Sequence, residues 1–360
     1  MRGLRGVVAA TACAGCASAA VAWNKHAQPL AGELVLTDVH AVYDTASDHV
    51  TALATGEAGV LLKLSAPAAS AGGGAGAAAW TTLLDTSFPT YWYGCFLFSA
   101  TNYLLSGFID GDGAAFGVLT TSVDGGQSWA NDSVIDPHAW GGGPIEFASQ
   151  SEGFMPSTAG GVAWRTSSGG RAFKDWHEIV PDSQNWHAGN YVYDGSGRIV
   201  LAGSSDCNSS DFGETWRCVA PVDISGIDSG IACSGLLCVV GGGEISPAVQ
   251  GWTHVSKDGG QTWTSARALT APFPIRTVLA VPTAGQPLPT LVAAGGNFFS
   301  GVGGAFSSAD GGATWTQDLS IGEEVKACRA LALPAATRVY CVSAGSAAGG
   351  IFSADFPAAR

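Results

Sequence analysis

The sequence lacks a basic patch, a long apolar run beyond its first residues and any sustained helical stripe. Only 12% of its 360 residues are charged, and 16 Lys and Arg stand against 29 Asp and Glu, a formal net charge of −13. Such a surface repels phosphate backbones and excludes nucleic acid as a partner. A membrane-spanning helix needs about 20 consecutive apolar residues, and no such run follows residue 22. Apolar residues do not recur at helical spacing over any long window, so little helix is expected. After residue 22 no two cysteines have zinc-type Cys-x-x-Cys spacing, which leaves no metal reading. Gly141-Gly142-Gly143 and Gly241-Gly242-Gly243 lack the Lys and helix of a phosphate loop, and no Gly-x-Ser-x-Gly elbow precedes a helix. No cofactor is therefore expected.

What is abundant is glycine, 51 residues, in a chain that is 46% apolar. That combination suits many short strands joined by tight turns, an all-β fold. Residues 1–22 read as a targeting leader: Arg2 and Arg5 give a positive start, residues 7–20 are small and apolar, and Ala20-Val21-Ala22 is a cleavage-type triplet before Trp23. A secretory signal, hence a secreted or lumenal protein, is the expectation. An organellar transit peptide, or a lipoprotein signal ending at Cys16, is the alternative. Seven cysteines follow the leader. Cys207 with Cys218, Cys233 with Cys238, and Cys328 with Cys341 form close pairs, as disulfides across hairpins in an oxidising compartment would, and Cys95 is left free.

Four segments are nearly the same: SVDGGQSW with Ser122, Asp124, Gly126 and Trp129; SSDFGETW with Ser209, Asp211, Gly213 and Trp216; SKDGGQTW with Ser256, Asp258, Gly260 and Trp263; SADGGATW with Ser308, Asp310, Gly312 and Trp315. Each position has a physical reason. The Asp carboxylate accepts N–H bonds within its own turn, Gly supplies positive φ without a steric cost, and Trp starts the next strand with a large buried ring. These Asp residues therefore fold a turn and are not read as catalytic acids. A worn copy runs from Thr166 to Phe173. An earlier one is opened out into the Gly/Ala-rich tract 66–79 before Trp80, expected to be a flexible loop. The anchors Trp80, Trp129, Phe173, Trp216, Trp263 and Trp315 recur every 43 to 52 residues, about one four-stranded propeller blade each. After Trp315 the chain provides three strands and stops. A strand from Trp23 to Leu30 supplies the fourth, so residues 23–360 read as a single seven-bladed β-propeller closed by its own N-terminal strand, with six blades as the alternative.

These four motifs resemble the Asp-box, or BNR repeat, of sialidases, the sortilin ectodomain, some xyloglucan-active glycosidases and the photosystem II stability and assembly factor. The blade rhythm and single-domain length look most similar to the last. That resemblance implies a non-enzymatic binding or assembly protein; the scattered Lys and Arg depart from that family's basic patch. The alternative is a sialidase-like glycoside hydrolase. Its early Arg-Ile-Pro motif is absent, and Arg276, Arg329 and Arg198 are the arginines that stand nearest to the family's carboxylate grip. Other glycosidases need two carboxylates across a groove, for which Asp110, Asp112, Glu146, Asp228, Glu244 and Glu324 are candidates.

The turns occupy one face of a propeller, so the longer connections lie on the other, where binding is expected. Trp92, Trp140 and Trp186, with His138, His187 and Arg276, are the candidate contacts for a protein or carbohydrate ligand of a monomeric chain.

Overall fold

The computed structural model describes residues 22–27, 29, 34–73, 77–84, 90–111, 114–135, 143–156, 162–179, 191–193, 196–203, 205–219, 227–244, 249–264, 267–318, 320–345 and 350–358. Among them the only helical pieces are two single 3₁₀ turns, Glu57–Gly59 and Phe173–Asp175. The rest is antiparallel sheet, arranged as a propeller-like ring. Five sheets, numbered second to sixth along the chain after the first meander described next, have four strands each, spanning residues 90–135, 146–179, 191–219, 227–271 and 275–318. An eight-stranded sheet holds the remaining strands. It consists of a first meander, residues 34–84, and a last one, Glu324–Ala332, Ala336–Gly345 and Ile351–Pro357, joined through Leu34↔Gly345 and Val35↔Ala344. The chain's beginning completes the last meander. Asn24 pairs with Ser353 and Lys25 with Phe352, so the outermost strand is Asn24–Lys25, shorter than the segment expected from the sequence.

The apolar pattern explains why sheets stack face to face around a ring. Central strands are buried on both faces: every residue of Thr290–Gly296 and of Gly303–Ser308 is buried. A strand covered on both sides reads as a continuous run of small and apolar residues instead of alternating. Cores therefore lie between successive sheets. Leu53 and Leu61 of the first meander pack with Trp92, Cys95 and Leu105 of the second sheet. Leu331, Tyr340 and Ile351 of the last meander pack with Leu36, Leu62 and Trp80 of the first. The triple glycine at 241–243 serves this packing, since a Cβ on Gly243 would come within 2.5 Å of Pro274 in the sixth sheet.

The three expected disulfides form between directly opposed residues, Cys207–Cys218, Cys233–Cys238 and Cys328–Cys341, each with Cα atoms 4.1 Å apart. Cys95 is a free, buried thiol, pushed well above its ordinary pKa by burial and by the neighbouring Asp38.

Two expectations meet a different arrangement. Phe173 sits in the inserted 3₁₀ turn, and Trp176 takes the anchoring role, its indole N–H donating to the Gly170 carbonyl at 2.9 Å. The described part of the Gly/Ala tract is docked onto the last meander. Ala71 is fully buried and its carbonyl accepts the Tyr340 hydroxyl at 2.8 Å, while Arg338 donates to the Ala68 carbonyl at 2.9 Å. Small side chains let that backbone approach closely, which a flexible reading overlooks.

Ring closure is secured by buried groups. Trp23 packs between the sixth sheet and the last meander. His26 lies within 3.0 Å of the Ser353 hydroxyl, and its backbone N–H donates to Ile351 at 2.8 Å. Burial, then the Arg338 charge, pushes the His26 pKa down from 6.5 to about 4, and burial with Arg329 pushes His40 down to about 3. In the unfolded chain both bind a proton near pH 6.5, so the neutral form stabilises the fold fully above that pH. The contribution is lost as pH falls towards 4, by roughly 3 kcal/mol for His26. We expect urea stability to decline from pH 6.5 to 4, and His26→Gln to flatten part of that decline. An unchanged slope in the variant would remove His26 from the account.

Candidate functional site

The four repeated turns are built alike. In each, Ser donates its hydroxyl to the Asp carboxylate at 2.7–2.9 Å and accepts the N–H of the second Gly position (Gly126, Gly213, Gly260, Gly312) at 2.8–2.9 Å. The backbone N–H of Ser128, Thr215, Thr262 and Thr314 donates to the same carboxylate at 2.9 Å. Hydrogen bonds, first from the Ser128, Thr215 and Thr262 side chains, hold Asp124, Asp211 and Asp258 down to a pKa of about 2. These carboxylates are consumed in folding their own turns. Phe212 stands where the other three turns have Gly and adopts φ 62°, with the Arg165 guanidinium 4.8 Å from its ring centre.

The first strands of successive units contact one another around the centre. There Arg329 of the last meander reaches across the ring to Glu146 of the third sheet, and its Nε lies 3.6 Å from Asp38 of the first. Asp38 is 1% exposed and accepts the Cys95 N–H at 3.1 Å. Burial raises its pKa despite the Arg329 charge. A cavity of about 240 Å³ beside the ion cluster is lined by Glu146, Ile231, Val278 and Arg329 among others. The sequence singled out Glu146 and Arg329 separately; the structure makes them partners. Asp38 went unremarked, because nothing in one sequence marks a lone Asp as central.

The other candidate carboxylates are engaged where described. Glu324 is 1% exposed and paired with Lys326 at 2.9 Å, and Glu244 accepts from Gln250 at 3.2 Å. The side chains of Asp110, Asp112 and Asp228 lie outside the described residues. So do Trp140, Trp186, His138 and His187. Trp92 is 5% exposed in the core between first meander and second sheet, so its ring packs there and does not face solvent. Arg276 is partly buried on a first strand, with its Nε lacking a hydrogen-bond partner among the described residues. Arg198 lies on the turn face and donates to the Gly235 carbonyl at 2.8 Å.

On the face opposite the turns, the structure reveals an arc of groups. Phe298 and Phe299 are 57% and 80% exposed and Val302 is 55% exposed. Their loop is fixed: the Phe299 N–H donates to the Asn297 side chain at 2.9 Å, and Asn297 exchanges backbone bonds with Val302 and Gly301 at 2.8 Å. Lys326 stands 4.9 Å from the Phe298 ring centre. Its charge also acts on half-buried Glu57, which in turn acts on Tyr93. Tyr93 and Tyr91 both stack on Phe108, at 5.5 and 4.7 Å. The signal available in the sequence was two adjacent Phe inside the turn-forming string from Gly295 to Gly301.

A ring of four-stranded antiparallel sheets sharing cores between neighbours defines the β-propeller class. Solved structures are similar in fold. They include YCF48 from Cyanidioschyzon merolae (15% identity, 93% of this chain and 98% of that one, TM-score 0.59) and YCF48 bound to D1 peptide (18%, 92% and 96%, 0.56). A GH74 xyloglucanase from Xanthomonas campestris is similar as well (15%, 90% of this chain but 54% of that one, 0.57). No family model matches and no curated protein is similar, so it is the propeller fold that these likenesses establish.

Removing the central cation tests the ion cluster. Arg329→Met leaves Asp38 buried without its counter-charge, and we expect a loss of about 3–5 kcal/mol. Urea unfolding measures it, and adding Asp38→Asn should return part of the loss. Unaltered stability in Arg329→Met would mean that the cluster contributes nothing.

Proposed function

We propose that the protein is a non-enzymatic, protein-binding β-propeller of seven blades with Asp-box turns, working in an oxidising secreted or lumenal compartment. Counting the first and last meanders as blades gives seven, with Asn24–Lys25 as the closing strand. The turn hydrogen bonds support the Asp-box reading. Three cross-strand disulfides and the leader-like N-terminus support the compartment. No helix among the described residues is long and apolar enough to cross a membrane.

The observation that carries the reading is the exposed Phe298–Phe299–Val302 loop. Large apolar side chains held out by a hydrogen-bonded loop are the informative kind of exposure. Exposed aromatic residues match the composition of protein contact surfaces. The full-length likeness to a propeller carrying a bound peptide supports the same reading. A hydrolase would need carboxylates free to act, whereas Glu146 and Glu324 are held by Arg329 and Lys326.

Phe298→Ser combined with Phe299→Ser tests the proposal. Stability should stay within about 0.5 kcal/mol, as at exposed positions, while proteins that co-purify with the natural chain should be lost and glycan-array signals should be absent throughout. Retention of every partner by the double variant, or hydrolysis of xyloglucan by the natural chain, would defeat it.

A further inference from the structure

We propose that the groove at the turn-face mouth of the central shaft is a second binding site, for an extended protein segment in which an apolar side chain lies beside Lys or Arg. It lies at the opposite end of the shaft from the Phe298–Phe299 loop and does not depend on that loop's role. The groove has a volume of about 700 Å³ and forms where first strands of three consecutive units end. Its wall and floor include Ala41, Val42, Phe98, Ala100, Leu331 and Ala332. Cavities of several hundred Å³ lined mainly by apolar groups are where ligands bury most of their surface. Connections here are short hairpins, so nothing of the described chain covers the opening.

The charges at its edge select the occupant. Asp44 lines the groove and is exposed; Asp48 is exposed beside it, taking the Tyr43 hydroxyl at 2.8 Å. Hydrogen bonds from the Ser47 side chain and the Ala46 N–H keep Asp44 ionised below the usual carboxylate range. Two cations beside the groove are already committed: Lys63 donates to the Gly125 carbonyl at 2.9 Å, and Arg171 stacks on Phe98, 3.9 Å from its ring centre, and donates to the Asn102 side chain. It backs the aromatic wall, which stabilises Phe98 in place, so the free charge at the opening is negative. The net charge of −13 adds long-range attraction for a cationic segment. A purely polar sugar would leave the apolar floor unmatched, and an acidic segment would meet Asp44 and Asp48.

Labelled peptides of alternating Leu-Lys, Leu-Glu and Ser-Lys sequence, titrated against the whole protein by fluorescence anisotropy, test the site. The Leu-Lys peptide should bind at least about tenfold more tightly than the other two, a gap of ~1.4 kcal/mol, and its affinity should fall as salt screens the rim. Ala332→Trp, at an exposed position, fills the groove and should abolish binding. Asp44→Asn, which needs no repacking, should weaken it several-fold and flatten the salt dependence. The Phe298→Ser, Phe299→Ser double variant should bind the peptide normally, which separates this site from the other face. Equal binding of Leu-Lys and Leu-Glu, no binding of Leu-Lys, undiminished binding in both groove variants, or displacement by a xyloglucan oligosaccharide would each overturn the proposal.

Discussion

The molecule depends on ring closure, in which Asn24–Lys25 pairs with Ile351–Pro357 beside the ladder that joins the first and last meanders. No sheet owns a core; each buries its faces against the sheets on either side. Opening the ring at any point exposes two such faces together. The closing ladder has only two residue pairs, and its backbone bonds alone are a weak latch. Closure is therefore carried by side chains around it: Trp23 in the core, His26 against Ser353, Lys25 against Glu323 and Arg338 bonded to both Asp355 oxygens. Arg338 also gathers the tract around Ala68, so the first and last meanders share one clasp.

Around this ring, polar groups are spent in distinct ways. The repeated Asp residues hold turns together at one end. At the centre, the first strands expose backbone edges to the shaft, and side chains of neighbouring units cover them. Asp38 takes the Cys95 N–H, and His40 takes the Leu97 N–H at 3.3 Å. The acid and the histidine are thus linkers between the first and second units, and Arg329 compensates the acid's charge. Among the described residues, the two mouths of the shaft carry the groups least engaged in holding the fold.

The fold was more legible than the sites. Repeated turns mark strand ends directly, which is why the expected four-stranded units appear at residues 90–135 and 275–318. Cysteine pairs flanking hairpins read equally well, since cross-strand neighbours are local. Anchors were less secure: Phe173 occupied the right spacing, but a three-residue insertion moved the work to Trp176. Trp92 shows the general difficulty. An aromatic in a connecting segment looks the same in sequence whether its ring faces solvent or the next sheet. The Arg329–Glu146 contact joins residues 183 apart, and only the curvature of the ring brings them together.

The closing strand also sets a temporal order. Asn24 and Lys25 leave the ribosome among the first folded residues, yet Ser353, their partner strand, emerges more than 300 residues later. At synthesis rates of roughly 5–20 residues per second, that is a wait of ~15–70 s. Hairpins and their disulfides are local and can form during the wait, so the nascent protein passes through an open arc whose end sheets are bare. A protein built this way spends its vulnerable period during synthesis and shortly afterwards, when an unpaired edge invites pairing with another chain.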